Sequence, residues 1–226
     1  MLSFNQQSNQ LTFYFSFRSP YAWLAFYRLS KIASNLPVTI EYVPLFPPKP
    51  VTGNPSGNPN KTTYVAEDIN RFANAYGLDL QWPKPFDTDW KRPHSSFLYA
   101  LDQGRAIEFG LAAFMARFSE GKDIGQDDTL AGVAEQCGLQ PDSIIQSADD
   151  SFFQRRVMKG AIRGQREGIF GVPFFIYRGS HYWGNDRLEW LLRDIFTQSG
   201  IDVPNLIDDA FAHPFKTKVE LHQFKF

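Results

Sequence analysis

A β–α–β pattern near the beginning of the chain constrains the fold more than any other feature. Residues 11–17 form an apolar run that alternates too little for a half-exposed strand, which indicates a central one. Residues 21–33 have helical spacing, and residues 38–43 form a second β-branched run. A strand, a helix and a strand in this order predict a parallel pair joined by a right-handed crossover.

The first helix has a well-specified start. Ser19 suits the N-cap, and Pro20 suits the first helical position because proline has no N–H to lose there. A helix N-terminus carries unsatisfied N–H groups and about half a positive charge, so it favours an anion such as a phosphate, a carboxylate or a thiolate. The Ser19 hydroxyl is therefore the strongest chemical lead in the sequence, although a plain N-cap is the commoner role for such a serine.

Composition excludes several classes of function. The chain has 226 residues, of which 43% are hydrophobic, so it can fill a core. Its 23 basic and 24 acidic side chains are mixed and form no basic stripe, so we expect no nucleic-acid partner. No apolar run approaches the roughly 18 to 20 residues of a membrane span, and the polar start lacks the features of a secretion signal. These observations predict a soluble, cytoplasmic protein without a membrane partner.

The metal-ligating residues are too few or too scattered for a metal site. Cys137 is the only cysteine, so neither an internal disulfide nor a cysteine metal site is possible, and we expect it to be a buried small hydrophobe. The histidines show no paired spacing and no accompanying carboxylate motif; they are His94, His181, His213 and His222. We expect no bound metal.

The middle of the chain is helical. Residues 44–60 are rich in proline, glycine and asparagine, which predicts a long loop. Helical patterns then follow over residues 61–76, 95–118, 127–137, 141–148 and 149–167.

The C-terminal part returns to β structure. The sequence there predicts a tight entry and a strand over residues 171–177, a turn at 178–180 and a short strand at 181–183. A helix follows, with Asp186 as an acidic N-cap and Glu189 three residues later, as in a capping box.

Assembled in order, these elements predict an α/β protein with a thioredoxin-like fold. The order is βαβ, then helices, then ββα, with Pro173 just before the third strand, where we expect a cis Val172–Pro173 bond. The predicted organisation is a discontinuous thioredoxin-like domain, residues 1–59 and 168–226, interrupted by an all-helical domain, residues 60–167.

Four segments carry a resemblance to a known family. They are Ser19-Pro20-Tyr21 within residues 15–24, Asn60-Lys61 with Tyr64 and Asp68, residues 168–173, and residues 183–188. Over roughly residues 11–196 the chain resembles the glutathione-dependent 2-hydroxychromene-2-carboxylate isomerases and the kappa-class glutathione transferases, relatives of the periplasmic disulfide oxidoreductases. The chain departs from the family at Arg18, where a small or apolar residue is more usual; this arginine could attract an anionic substrate or be solvated.

The resemblance implies glutathione as the cofactor and Ser19 as the catalytic group that stabilises its thiolate. The implied glutathione contacts are Ser19, Lys49, Asn60, Lys61, Val172, Pro173, Asn185, Asp186 and Arg187. Arg18 and Tyr21 are the candidates for contact with the second substrate, a small aromatic or conjugated carboxylate. The family also implies a homodimer.

Alternative functions remain open at this point. A kappa-like transferase or peroxidase would use the same thiolate, and a thioredoxin-like module could hold glutathione or a peptide strand without turnover. A thiol–disulfide oxidoreductase is disfavoured because Ser19 and Ala22 occupy the places of its cysteines. A serine hydrolase is disfavoured because no glycines surround Ser19 in a nucleophile elbow.

Overall fold

A four-stranded mixed sheet forms the centre of the computed structural model, which describes residues 9–46 and 58–201. The strands are β1 (Gln10–Phe15), β2 (Thr39–Pro44), β3 (Phe174–Tyr177) and β4 (Ser180–Trp183), in the spatial order β2-β1-β3-β4. β1 pairs with β2 in parallel, whereas β3 is antiparallel to both of its neighbours. This topology confirms the predicted thioredoxin-like α/β fold.

Helices make up most of the rest of the described chain. Their bounds are α1 (Pro20–Ser30), α2 (Pro59–Tyr76), α3 (Lys91–Asp102), α4 (Ala106–Phe118), α5 (Asp127–Gln136), α6 (Pro141–Asp149), α7 (Ser151–Arg166) and α8 (Leu188–Gln198). Six of them, α2 to α7, lie between β2 and β3 in the sequence. The assignment of residues 60–167 to a separate domain stays a prediction. No helix within the described ranges is long and apolar enough to cross a membrane.

β1 is buried on both faces, which explains why its sequence does not alternate. Phe13 and Phe15 belong to the main core, and Phe13 stacks on Phe175 of β3 with ring centroids 4.5 Å apart. Tyr14 points to the opposite face, where it packs with Val43 and Phe174. A central strand buried on both sides favours apolar residues on both of its faces.

Helix α4 of the helical region packs closely against α1. A Cβ atom added at Gly110 in α4 would overlap the ring of Phe26 in α1. That ring cannot move aside, because it is buried among Phe13, Phe15 and Phe114. Gly110 therefore sets the separation between α4 and the helix that begins at Ser19.

Two of the predicted helix boundaries are wrong. Residues 95–118 are not one helix, because α3 ends before Gly104, which has a φ of 72°. Asp186 is not an N-cap: residues 185–187 form a short 3₁₀ turn, α8 begins at Leu188, and no side chain caps it. The expectation for Cys137 is confirmed, since it is 6% exposed.

Gly110→Ala should destabilise the protein by about 1–3 kcal/mol, because the added methyl group overfills a packed helix contact. The matched control is Gly132→Ala in α5, where nothing lies within 4 Å of an added Cβ. There the alanine should be neutral or stabilising by up to about 1 kcal/mol. Urea unfolding of the two variants measures both effects, and equal midpoints would contradict the close packing described for α4.

A candidate active site around Ser19

Ser19 joins the start of α1 to the loop before β3. As the N-cap of α1, its Oγ accepts a hydrogen bond from the Ala22 N–H at 3.2 Å, as predicted. The same hydroxyl donates to the backbone carbonyl of Val172 at 3.2 Å. The Val172–Pro173 peptide bond is cis, which confirms the prediction. The hydroxyl proton is thus directed across the site, from the helix end to the residue before the cis-proline.

Ser19 and Val172 line one cleft of about 1310 Å³. Its walls are mainly apolar and include Phe46, Val65, Trp82, Phe86, Ile162 and Ile169. The cleft is larger than most small-molecule sites, which span about 300–1,000 Å³. An apolar surround of this kind strengthens electrostatic interactions with the few polar groups that it contains.

Arg18 lines the cleft and is bound by Asp87, so the expectation that it is solvated is wrong, whereas its contact with a substrate stays a prediction. Its guanidinium forms a bidentate ion pair with Asp87, with Nε to Oδ1 at 2.6 Å and Nη2 to Oδ2 at 3.2 Å. The Arg18 side chain is only 12% exposed. Asp87 also accepts from the indole N–H of Trp90 at 3.3 Å. Because a planar pair of this kind holds both partners, Arg18 anchors the 82–90 segment beside Ser19.

Arg117 supports the same segment from the core, and sequence reasoning missed it. It is fully buried in α4 and donates to the Phe86 carbonyl. Its Nε and Nη1 have no hydrogen-bond partner among the described residues. The guanidinium lies 4.6 Å from the ring centroid of Trp90 and 5.1 Å from that of Phe86, so aromatic faces replace those partners. Burial lowers the pKa of Arg117 to about 9, so it stays charged at neutral pH.

His94 is a second residue that sequence reasoning did not select for the site. It is fully buried, and its Nε2 accepts from the Phe17 N–H at 3.2 Å, which fixes the turn before Ser19. Because Nε2 is the acceptor, Nδ1 carries the proton and donates to the Trp90 carbonyl. Burial lowers the pKa of His94 to about 4, with a smaller contribution from the Arg117 charge. A lone histidine without a spaced partner carries no sequence signal for this role.

The other predicted glutathione contacts do not all lie in the cleft. Lys61 lines the cleft from the first turn of α2, whereas Asn60 is exposed beside the N-cap Asn58 and is not in the lining. Lys49 lies outside the described residues. Pro173 is buried beneath Val172.

The 3₁₀ turn before α8 lies next to the cis-proline, because the Gly184 N–H donates to the Pro173 carbonyl at 3.0 Å. Asn185 is buried, and its backbone and side-chain oxygens both accept from Arg28. Asp186 is exposed and pairs with its neighbour Arg187. Asn185, Asp186 and Arg187 are not in the lining of the cleft. The Arg187 N–H donates to the Gly184 carbonyl at 3.2 Å, so the backbone groups that remain as candidates for a ligand are the N–H groups of Asn185 and Asp186.

Tyr21 is not in the cleft lining either, so the structure does not support it as a substrate contact. Its hydroxyl donates to Asp68 of α2 at 2.8 Å, and burial, followed by this hydrogen bond, raises its pKa. Tyr21 therefore holds α2, which carries Lys61, against α1.

Comparisons with known proteins identify the family of the chain. Residues 10–196 match the model of the DSBA-like thioredoxin domain. The chain is 30% identical to the 2-hydroxychromene-2-carboxylate isomerase of Sphingobium xenophagum over 188 residues, which cover 80% of this chain and 95% of that protein. It is 23% identical to glutathione S-transferase kappa 1 of Caenorhabditis elegans, over 84% of this chain and 91% of that one.

A solved structure of a 2-hydroxychromene-2-carboxylate isomerase also superposes on the chain. The TM-score is 0.74 at 25% sequence identity, and the match covers 84% of this chain and 96% of that one.

The buried His94 should make stability fall as the pH is lowered. Its pKa in the folded protein, about 4, is below its unfolded value, so the unfolded chain binds more protons between about pH 6.5 and pH 4. The His94 contribution is present above pH 6.5 and decreases by about 3 kcal/mol as the pH falls to 4. His94→Gln should flatten the pH dependence of urea unfolding by that amount. A pH dependence in His94→Gln as steep as that of the unmodified protein would contradict a buried neutral His94.

Proposed function

Because the chain belongs to the DSBA-like thioredoxin family, in the group that includes the 2-hydroxychromene-2-carboxylate isomerases and the kappa-class glutathione transferases, we propose that it is a glutathione-dependent isomerase of conjugated aromatic enones. One observation carries this proposal. A serine hydroxyl, not a thiol, occupies the start of α1 and faces the residue before the cis-proline. The nucleophile must then come from a bound molecule.

The donors around Ser19 suit a thiolate. A free thiol of ordinary pKa, about 8.5, is mostly protonated at neutral pH. The Ser19 hydroxyl can donate to the sulfur, and the N-terminus of α1 contributes its partial positive charge. Both effects favour the anion and lower the thiol pKa. Ser19 itself does not attack; it holds another molecule's sulfur in its reactive form.

Binding requires the Ser19 hydroxyl to exchange one partner for another. Its proton is now donated to the Val172 carbonyl, while its oxygen accepts from Ala22. A rotation about one side-chain bond moves the proton toward the sulfur and leaves the N-cap bond in place. Val172 can then use its backbone N–H and C=O to pair with the cysteinyl residue of glutathione, as an added strand would.

Backbone N–H groups and a lysine of the protein complement the negative charges at the two ends of glutathione. The N–H groups of Asn185 and Asp186, in the 3₁₀ turn before α8, suit the γ-glutamyl carboxylate, because the beginning of a helical turn presents N–H groups to an anion. This turn is connected to the cis-proline by the hydrogen bond from the Gly184 N–H to the Pro173 carbonyl. Lys61 supplies a cation on the α2 side of the cleft.

Glutathione supplies a nucleophile that adds to the conjugated double bond, allows rotation about the resulting single bond, and leaves by elimination unchanged. The chain's own contribution is to stabilise the thiolate, align it with the double bond and exclude water. The apolar walls suit this purpose, because they desolvate both partners without offering a competing proton donor.

A glutathione transferase is the second candidate, favoured by the match to the kappa-class protein of Caenorhabditis elegans over 84% of this chain. Both reactions need the same thiolate, and they differ in whether the adduct expels it. Calorimetry with glutathione, an ultraviolet assay of 2-hydroxychromene-2-carboxylate and a chlorodinitrobenzene conjugation assay distinguish the candidates. Isomerisation without consumption of glutathione supports the proposal, and failure to bind glutathione would reject it.

Ser19→Ala should bind glutathione but raise the pKa of the bound thiol by about one to two units, because one hydrogen bond to the charged sulfur is lost. The matched control is Ser30→Ala at the other end of α1, where the hydroxyl donates to the Tyr27 carbonyl. Titration of the thiolate absorbance measures the pKa in both variants. Loss of the cap costs about 1 kcal/mol of stability, which leaves the fold intact. An unchanged thiol pKa in Ser19→Ala would remove the role given to Ser19.

A further inference from the structure

One cation in the cleft has no role so far. Among the described residues that line the cleft, the cationic side chains are Arg18, Lys61 and Lys84. Arg18 is neutralised by its bidentate pair with Asp87. Lys61 lies on α2 and is assigned above to glutathione. Lys84 is exposed, and no ion pair involves it in the part of the chain that the structure describes.

The segment that carries Lys84 is firmly held on both sides of the lysine. Before it, the Gln81 N–H donates to the Phe118 carbonyl at 2.7 Å. After it, the Phe86 ring lies 5.2 Å from the Arg18 guanidinium and 5.1 Å from that of Arg117. The lysine itself stands between Pro83 and Pro85, whose rings restrict the local backbone. The ammonium group is therefore presented from a constrained loop rather than from a free surface segment.

An aromatic surface lies beside this cation. Trp82 and Phe86 both line the cleft, with ring centroids 6.3 Å apart. Together with Lys84 they offer an aromatic contact surface and a positive charge in the same cleft. A molecule with an aromatic body and a carboxylate at one end satisfies both features.

We propose that Lys84 binds the carboxylate of the aromatic substrate while Trp82 and Phe86 contact its rings. This inference rests on the proposed function and adds the residue that selects the substrate class. In an enone whose carbonyl neighbours the carboxylate, negative charge grows on the carbonyl oxygen when a thiolate adds to the double bond. A cation beside that end stabilises the carboxylate and the developing charge together.

The test measures binding of 2-hydroxycinnamate and its methyl ester by calorimetry, so it does not depend on turnover. Lys84→Ala should weaken binding of the acid about tenfold and leave the ester unchanged, because only the acid loses a charged partner. Lys84→Arg should restore most of the affinity for the acid. Lys122→Ala is the matched control, since that lysine is 54% exposed, pairs with Glu120 and is not in the cleft lining.

Two results would overturn the assignment. One is equal loss of acid and ester binding in Lys84→Ala, which would indicate loop damage instead of charge recognition. The other is unchanged acid binding in Lys84→Ala; tighter acid binding in Asp87→Asn would then assign the carboxylate to a released Arg18. Glutathione binding, titrated separately in the same variants, should stay unchanged. If the unmodified protein does not bind glutathione, that result rejects the proposed function but not the Lys84 site.

Discussion

The hydrogen bond from the Ser19 hydroxyl to the Val172 carbonyl is the contact on which the site depends. It joins the positive end of α1 to the backbone before the cis-proline across 3.2 Å. The sheet makes this meeting possible, because β1 and β3 are neighbours and deliver both residues to one place. The proton in this bond is also the one that the proposed chemistry needs, so the same hydroxyl serves as helix cap, cross-link and donor to sulfur.

Ion pairs and aromatic contacts determine which positive charges are available in the cleft. Arg18, next to the reactive hydroxyl, is bound by Asp87, and Arg117 is stacked on aromatic rings behind the wall. Both hold the 82–90 segment and neither offers a free charge to the cleft. Among the described residues of the lining, the cations without an ion pair are Lys61 and Lys84. This distribution combines an apolar lining with two lysines that can bind anions, which suits a substrate with a charged end and a neutral reacting bond.

Local signals were enough to predict the fold and the backbone features that meet at Ser19. The apolar run of β1, the Ser19-Pro20 helix start and Val172-Pro173 each act through near neighbours in sequence, and the structure confirms all three. Three contacts could not be predicted, because their partners lie 47 to 77 residues apart in the sequence: Arg18 with Asp87, Tyr21 with Asp68, and His94 with Phe17. The prediction of Asp186 as an N-cap was wrong because a capping pattern in the sequence does not distinguish the start of an α-helix from a 3₁₀ turn.

A crystal structure of the protein with bound glutathione tests the central claim most directly. The account predicts that the sulfur lies within hydrogen-bond distance of Ser19 Oγ, that the Ser19 hydroxyl has turned away from the Val172 carbonyl, and that the N-cap bond to Ala22 remains. A structure in which the sulfur lies elsewhere and the bond from Ser19 to Val172 is intact would contradict it.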